Sequence, residues 1–300
     1  MRRSEGFENY RNSGRIDAQA ELGEGPHWDA ESNQLYWVDI MGRKLRIYDQ
    51  ITKSEEVRSF DLMISAVIPT AEGELLLAME DGVYLAQTDG SPVLLTSIEA
   101  DLPRNRTNDA KCDRHGRLWL GTMSMDNEPK AGGLYVLEPG GTCRQVLSGI
   151  GISNGLAWDY ARSRMYYIDT PTGQVDVFDY DEDSGNIDNR KIAFRIPATE
   201  GSPDGMTIDG EGMLWVAHWG GGCVSRWNPD TGEQIGRIRV PAPLVTSCTF
   251  GGSDLTELYI TTAKTGMNEE ELRRYPHAGG LFMAKPGVSG LLPSNYRAKE

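Results

Sequence analysis

The chain has 300 residues, 39% of them hydrophobic and 25% charged, a soluble-globular balance. Its longest apolar runs fall far short of the roughly 20 residues that span a bilayer. Acidic residues outnumber basic ones by 44 to 30, a net charge of −14, which argues against nucleic acid or an anionic membrane as a partner because both require a basic face.

In chain order, the N-terminal MRRSEGFENYRNSGRID carries two arginines with no apolar stretch behind them. No secretory signal is read there, and cytoplasmic residence is the default expectation. Residues 1–13 read as a loose arm and residues 14–300 as one domain. The four cysteines, Cys112, Cys143, Cys223 and Cys248, are scattered, so neither a disulfide framework nor a zinc knuckle is expected.

From Glu24 onward one phrase recurs: a polar residue, a small one and an apolar one, then often an aspartate, a turn and a Leu-aromatic pair. It begins at Glu24-Gly25-Pro26, Ser65-Ala66-Val67, Asn108-Asp109-Ala110, Asn154-Gly155-Leu156, Asp204-Gly205-Met206 and Ser247-Cys248-Thr249. The starts lie 41, 43, 46, 50 and 43 residues apart, the spacing of propeller blades. Each unit continues into a further alternating run, such as Leu45–Tyr48, Gly133–Val136 or Leu281–Met283, bounded by Gly, Asp, Asn and Ser. No sustained helical period is present. The expectation is an all-β, six-bladed propeller of four-stranded antiparallel blades. After Leu281–Ala284 the last blade lacks an outer strand of its own, and Arg15–Glu21 is expected to supply it and close the ring.

The acidic run Asp181–Asn186 is not a calcium loop of the EF-hand kind, because in a loop counted from Asp179 its glycine falls one place late and the twelfth position is Arg190. Gly220–Gly222 reads as a turn. The histidines show no metal-ligand spacing, and no G-x-S-x-G elbow is present.

In a propeller the equivalent first-strand positions ring one mouth of the central channel. Here they are Glu24, Ser65, Asn108, Asn154, Asp204 and Ser247, every one with a side-chain oxygen. Two carboxylates and two carboxamides around an axis make a hard oxygen-donor site suited to Ca²⁺, Mg²⁺, Mn²⁺ or Zn²⁺. A divalent cation also relieves the repulsion between the two acids.

Four segments together resemble the signature of the SMP-30/gluconolactonase/regucalcin-like family: Leu22–Asp29 (LGEGPHWD), Arg106–Asp113 (RTNDAKCD), Ile152–Trp158 (ISNGLAW) and Pro203–Met206 (PDGM). They occur in the family's order over nearly the whole chain. The resemblance implies a six-bladed propeller with one divalent metal ion, Ca²⁺ or Zn²⁺ foremost, that hydrolyses a sugar lactone to the sugar acid. By position it implies Glu24, Asn154 and Asp204 as metal ligands, Asp204 also as catalytic base, and Arg106 and Asn108 as substrate contacts. Asp126 sits where some relatives have a substrate-binding Glu. His218-Trp219 could rim the mouth or pack beneath it.

The chemistry this implies is a polarised lactone carbonyl, a positioned water and Asp204 accepting its proton, with Arg106 and Asn108 orienting the ring. Two rivals are a metal-dependent ester or phosphotriester hydrolase and a non-catalytic calcium-binding regulatory propeller. A polar mouth favours the lactonase and an aromatic-walled mouth favours the other hydrolase. The expected partner is a small sugar lactone, with no nucleic acid or membrane, and the expected state is a monomer or weak homo-oligomer.

Overall fold

The computed structural model describes residues 8–10, 12–86 and 91–298. Strands β1 (Glu8–Tyr10) and β2 (Asn12–Ile16) precede the first repeat. Four separate four-stranded antiparallel sheets follow. The first holds β3 (Gly23–Asp29), β4 (Gln34–Asp39), β5 (Lys44–Asp49) and β6 (Glu55–Ser59). The second holds β7 (Ile64–Pro69), β8 (Leu75–Met79), β9 (Gly82–Ala86) and β10 (Val93–Ser97). The third holds β11 (Asn105–Cys112), β12 (Leu118–Ser124), β13 (Gly132–Leu137) and β14 (Cys143–Ile150), and the fourth β15 (Ser153–Asp159), β16 (Arg164–Asp169), β17 (Gln174–Asp181) and β18 (Asn186–Arg195).

The remaining strands form one nine-stranded sheet. Its antiparallel stack β19 (Ser202–Ile208), β20 (Leu214–Trp219), β21 (Cys223–Asn228) and β22 (Glu233–Arg239) joins the ladder of the next through the pair Trp219–Leu244. That next stack is β23 (Leu244–Gly251), β24 (Glu257–Ala263), β25 (Leu281–Ala284) and, from the N-terminal side, β2. The first strands β3, β7, β11, β15, β19 and β23 each contact the next, and β23 returns to β3. The architecture is all-β and propeller-like.

The outer strand of the last stack differs from the sequence expectation. It is Asn12–Ile16, so of Arg15–Glu21 only Arg15 and Ile16 pair with β25. Gln19 lies at φ +53° with its amide on Asp17, and this left-handed residue ends the extended run. Of the expected N-terminal arm, residues 1–7 and 11 lie outside the described residues, and Glu8–Tyr10 pairs in parallel with β22. One helix was not anticipated: α1 (Glu269–Arg274), which Asn268 and Glu271 start with a capping box.

The core consists of apolar clusters, each between two successive sheets. Tyr36, Val38 and Ile47 of the first sheet meet Ile64, Val67 and Leu77 of the second, and Trp28 and Trp37 meet Tyr259 and Leu281 across the closing seam. The alternation that marked the strands therefore buries both faces. The recurring aspartate has a structural task. Asp209 Oδ1 accepts from the Glu211 and Met213 amides in the turn, while Oδ2 accepts from the Trp215 indole and the Arg226 guanidinium. Asp113 does the same for the His115 and Arg117 amides and for the Trp119 indole. One buried carboxylate thus ties a hairpin turn to the large aromatic residue of the next strand. All four cysteines are free, as expected.

Asp209→Ala should remove one acceptor shared by the Trp215 indole, Arg226 Nε and two turn amides, with Arg226 keeping its pair to Glu211. Breaking a buried ion pair on one side costs about 3–5 kcal/mol, so urea unfolding should show a clearly lower midpoint. An unchanged midpoint would show that the turn holds without this carboxylate.

Candidate active site

Each first strand breaks its ladder at or beside the repeat position. The register shifts between Glu24 and His27, Ile64 and Ala66, Thr107 and Ala110, Ser153 and Leu156, Pro203 and Met206, and Val245 and Ser247. A bulge releases a residue from the ladder and re-aims its side chain. Two of the bulges need glycine because neighbouring first strands come so close. A Cβ at Gly155 would lie 2.7 Å from Met206 Cβ, and one at Gly205 would run into the Ser247 side chain.

The consequence is a cavity of about 360 Å³ at the starting ends of the first strands. Glu24, Arg106, Asn108, Asn154 and Asp204 line it, together with Leu22, Met123, Asn127, Ile152, Thr170, Ser202 and Trp219. Five of the six expected site residues therefore meet there, and all five are buried. Asp126 is not among the lining residues. Its carboxylate accepts from Arg104 Nε at 2.7 Å on the surface, and the next residue, Asn127, lines the cavity in its place. Asn127 has φ +55°, and this left-handed turn reverses which side chain faces inward.

The other ring positions have different environments. Ser65 Oγ sits 2.7 Å from Thr107 Oγ1 and 3.2 Å from the Ala78 carbonyl, away from the cavity. Ser247 lines a separate cavity at the opposite end of the first strands, where residues 291–294 of the C-terminal segment lie. The His218-Trp219 pair splits. Trp219 lines the site, whereas His218 is fully buried between Ser225 and the Glu200 carbonyl. Alternation along one strand forces that division.

The polar network is continuous. Arg106 Nη1 donates to Asn108 Oδ1 at 2.8 Å, and Asn108 Nδ2 donates to the Ser153 carbonyl at 2.8 Å and to Asn154 Oδ1 at 3.1 Å. Asn154 Nδ2 donates to Thr170 Oγ1, and Thr170 Oγ1 donates to the Pro203 carbonyl, both at 2.8 Å. The approach segments are held by two aspartates at the ends of second strands. Asp39 accepts from the Glu21 and Leu22 amides, and Asp169 from those of Gly151 and Ile152. Sequence reasoning missed Thr170, Asp39 and Asp169. Their signal was the shared pattern Val38-Asp39 and Ile168-Asp169 at the ends of two second strands.

Burial, then the neighbouring charge of Asp109, pushes the Glu24 carboxyl up to about 8. Burial, then Glu24 and Asp109, holds Asp204 well above the usual carboxylate range. Arg106 is itself lowered by burial, against the pull of Glu24, Glu80 and Asp204. Two buried acids in one cavity fit a site for a positive ion. Among the described residues no three His, Cys, Asp or Glu side chains gather as a metal-holding group. The candidate ligands here are two carboxylates and the Asn154 carboxamide, an oxygen set suited to hard cations.

Comparison with known proteins gives the chain's family. Residues 22–264 match the family described as "SMP-30/Gluconolactonase/LRE-like region". A Bacillus subtilis protein named "Putative sugar lactone lactonase YvrE" is 44% identical over 278 residues, 92% of this chain and 95% of its own. Regucalcin of Danio rerio is 37% identical over 286 residues, covering 94% and 96% of the two chains. A solved structure of regucalcin from Agrobacterium tumefaciens, described as a calcium-binding protein, superposes with a TM-score of 0.91. It is 29% identical and covers 96% of this chain and 98% of its own.

The raised Glu24 predicts a pH signature. Between the ordinary value of 4.5 and about 8 the folded protein keeps a proton that the unfolded chain has released. Stability from this group is complete below 4.5 and is lost as pH rises through about 8. The melting temperature of chelator-treated protein should therefore fall across that window, and a saturating divalent cation should flatten the slope. Equal slopes with and without the cation would place Glu24 outside its reach.

Proposed function

The chain belongs to the SMP-30/gluconolactonase/LRE-like family, and from that footing we propose that it is a divalent-metal-dependent lactonase that opens a sugar lactone to the sugar acid. The observation that carries this reading is the convergence of Glu24, Asn154 and Asp204, from three separate stacks, on one cavity with Arg106 and Asn108. The fold that goes with it is a six-bladed propeller in one domain, supported by six four-stranded stacks whose first strands touch in a closed cycle.

Glu24, Asn154 and Asp204 would hold the ion, Ca²⁺ or Zn²⁺ first, with Mg²⁺ or Mn²⁺ as further candidates. When bound, such an ion polarises a carbonyl and lowers the pKa of a coordinated water. The remaining work falls to the chain. Arg106 directs its guanidinium at the ring oxygens of the lactone and orients the carbonyl for attack. Asp204 takes the proton from water as the carbonyl carbon gains its new C–O bond. A carboxylate placed beside the attacking water can accept its proton in this way. The acyl–oxygen bond of the ring then breaks, and the ring oxygen leaves as a hydroxyl by taking up the proton that Asp204 accepted. Leu22, Met123, Ile152 and Trp219 form the apolar part of the cavity wall.

That same apolar wall favours a second reading, a metal-dependent ester or phosphotriester hydrolase. A panel of aldonolactones, aryl esters and phosphotriesters, assayed with each metal after chelation, decides between them. On the best lactone, Asp204→Asn should cut the rate by about 10²–10⁴, the usual range for losing general-base help, while bound metal is weakened but present. Ser65→Ala, whose hydroxyl serves Thr107 and not the cavity, should keep most of the activity. A fully metallated Asp204→Asn protein at wild-type rate would refute the base assignment.

A further inference from the structure

We infer that Thr170 is a positioning residue that sets which way the Asn154 carboxamide faces, as the last side chain in a one-way hydrogen-bond chain from Arg106 to the carbonyl preceding Asp204. The chain is Arg106 Nη1 to Asn108 Oδ1, Asn108 Nδ2 to Asn154 Oδ1, Asn154 Nδ2 to Thr170 Oγ1, and Thr170 Oγ1 to the Pro203 carbonyl. Its direction is dictated at both ends. A guanidinium can only donate and a backbone carbonyl can only accept.

The hydroxyl has one proton. That proton is committed to Pro203, so toward Asn154 the Thr170 oxygen can only accept. Asn154 must therefore turn its NH₂ to Thr170 and its Oδ1 to the cavity side. A reversed Asn154 amide would set Oδ1 against an oxygen with no proton left, and Nδ2 against Asn108 Nδ2, donor facing donor. Asn108 cannot reverse to accommodate it, because the Ser153 carbonyl holds its Nδ2 and Arg106 holds its Oδ1. One hydroxyl thus joins the fourth stack, which carries Asn154, to the fifth, which carries Asp204.

The backbone around Thr170 is fixed independently of this chain. Thr170 N donates to the Ile152 carbonyl at 3.0 Å, and the Asp169 carboxylate holds the Gly151 and Ile152 amides. The turn Thr170–Thr172 is thereby stitched to the segment that leads into Asn154. The side-chain hydroxyl of Thr170 on one side and Asn108 Nδ2 on the other decide the amide direction, and Thr170 itself is partly buried.

The consequence for metal affinity rests on the metal-dependent reading proposed above. Losing an outer partner that orients a ligand typically weakens metal binding by about 10–100-fold. Thr170→Val keeps the shape and removes the hydroxyl, whereas Thr170→Ser keeps the hydroxyl. Calorimetric titration of chelated protein with CaCl₂ and ZnCl₂ should show weakening of that order for Thr170→Val and near-wild-type affinity for Thr170→Ser. Melting in chelator should be similar for all three proteins. If Thr170→Val melts much lower, Thr170→Ala takes its place, with the same weakening expected. Equal affinity in wild type and the hydroxyl-free variant would overturn the inference and leave the metal reading intact. A wild-type protein that binds neither ion would overturn the metal reading and this inference with it.

Discussion

The structure depends on keeping charged and amide side chains at its axis while the backbone there remains in sheets. A regular ladder cannot do this, because strict alternation would send each repeat-position residue into the packing between sheets or fix it along the ladder. The bulge in every first strand resolves the conflict. It costs ladder hydrogen bonds at the place where first strands lie closest, which is why Gly155 and Gly205 follow Asn154 and Asp204 directly. Polar residue and glycine form one unit: the first supplies the donor oxygen and the second the room for it.

What the bulges weaken is made up further out. The buried Asp113 and Asp209 staples fix turns and aromatic residues at the other end of their first strands, and apolar clusters lock each sheet to the next. Asp39 and Asp169 use the same device nearer the mouth, accepting pairs of backbone amides so that Leu22 and Ile152 reach the cavity wall. Packed sheets around a locally irregular axis hold five polar residues from four stacks in one small cavity. The raised proton affinities of Glu24 and Asp204 follow from the burial this achieves.

The network also separates roles that adjacent residues cannot share. His218 and Trp219 point to opposite faces, so one is sealed in the packing and the other forms the wall. Asp126 and Asn127 divide in the same way across a left-handed turn. Asn108 has its carbonyl and its amide both engaged within the protein, so it acts as a link between Arg106 and Asn154 as much as a surface for substrate.

The repeat of polar, small and apolar residues was legible in the sequence because it expresses local physics: period-two burial, turn chemistry and a bulge glycine are each set by a few neighbouring residues. From it came the all-β class, the strands, and the gathering of Glu24, Asn108, Asn154 and Asp204, whereas Arg106 came from the family resemblance. Only tertiary structure decided which ring positions share the cavity, since Ser65 and Ser247 occupy the same place in the repeat but find partners elsewhere. It also decided the outer strand of the last stack, because one left-handed residue at Gln19 is invisible to alternation. Thr170 was hidden for the same reason. Its role exists only where a turn of the fourth stack meets the carbonyl of Pro203 in the fifth, a contact between residues 33 positions apart.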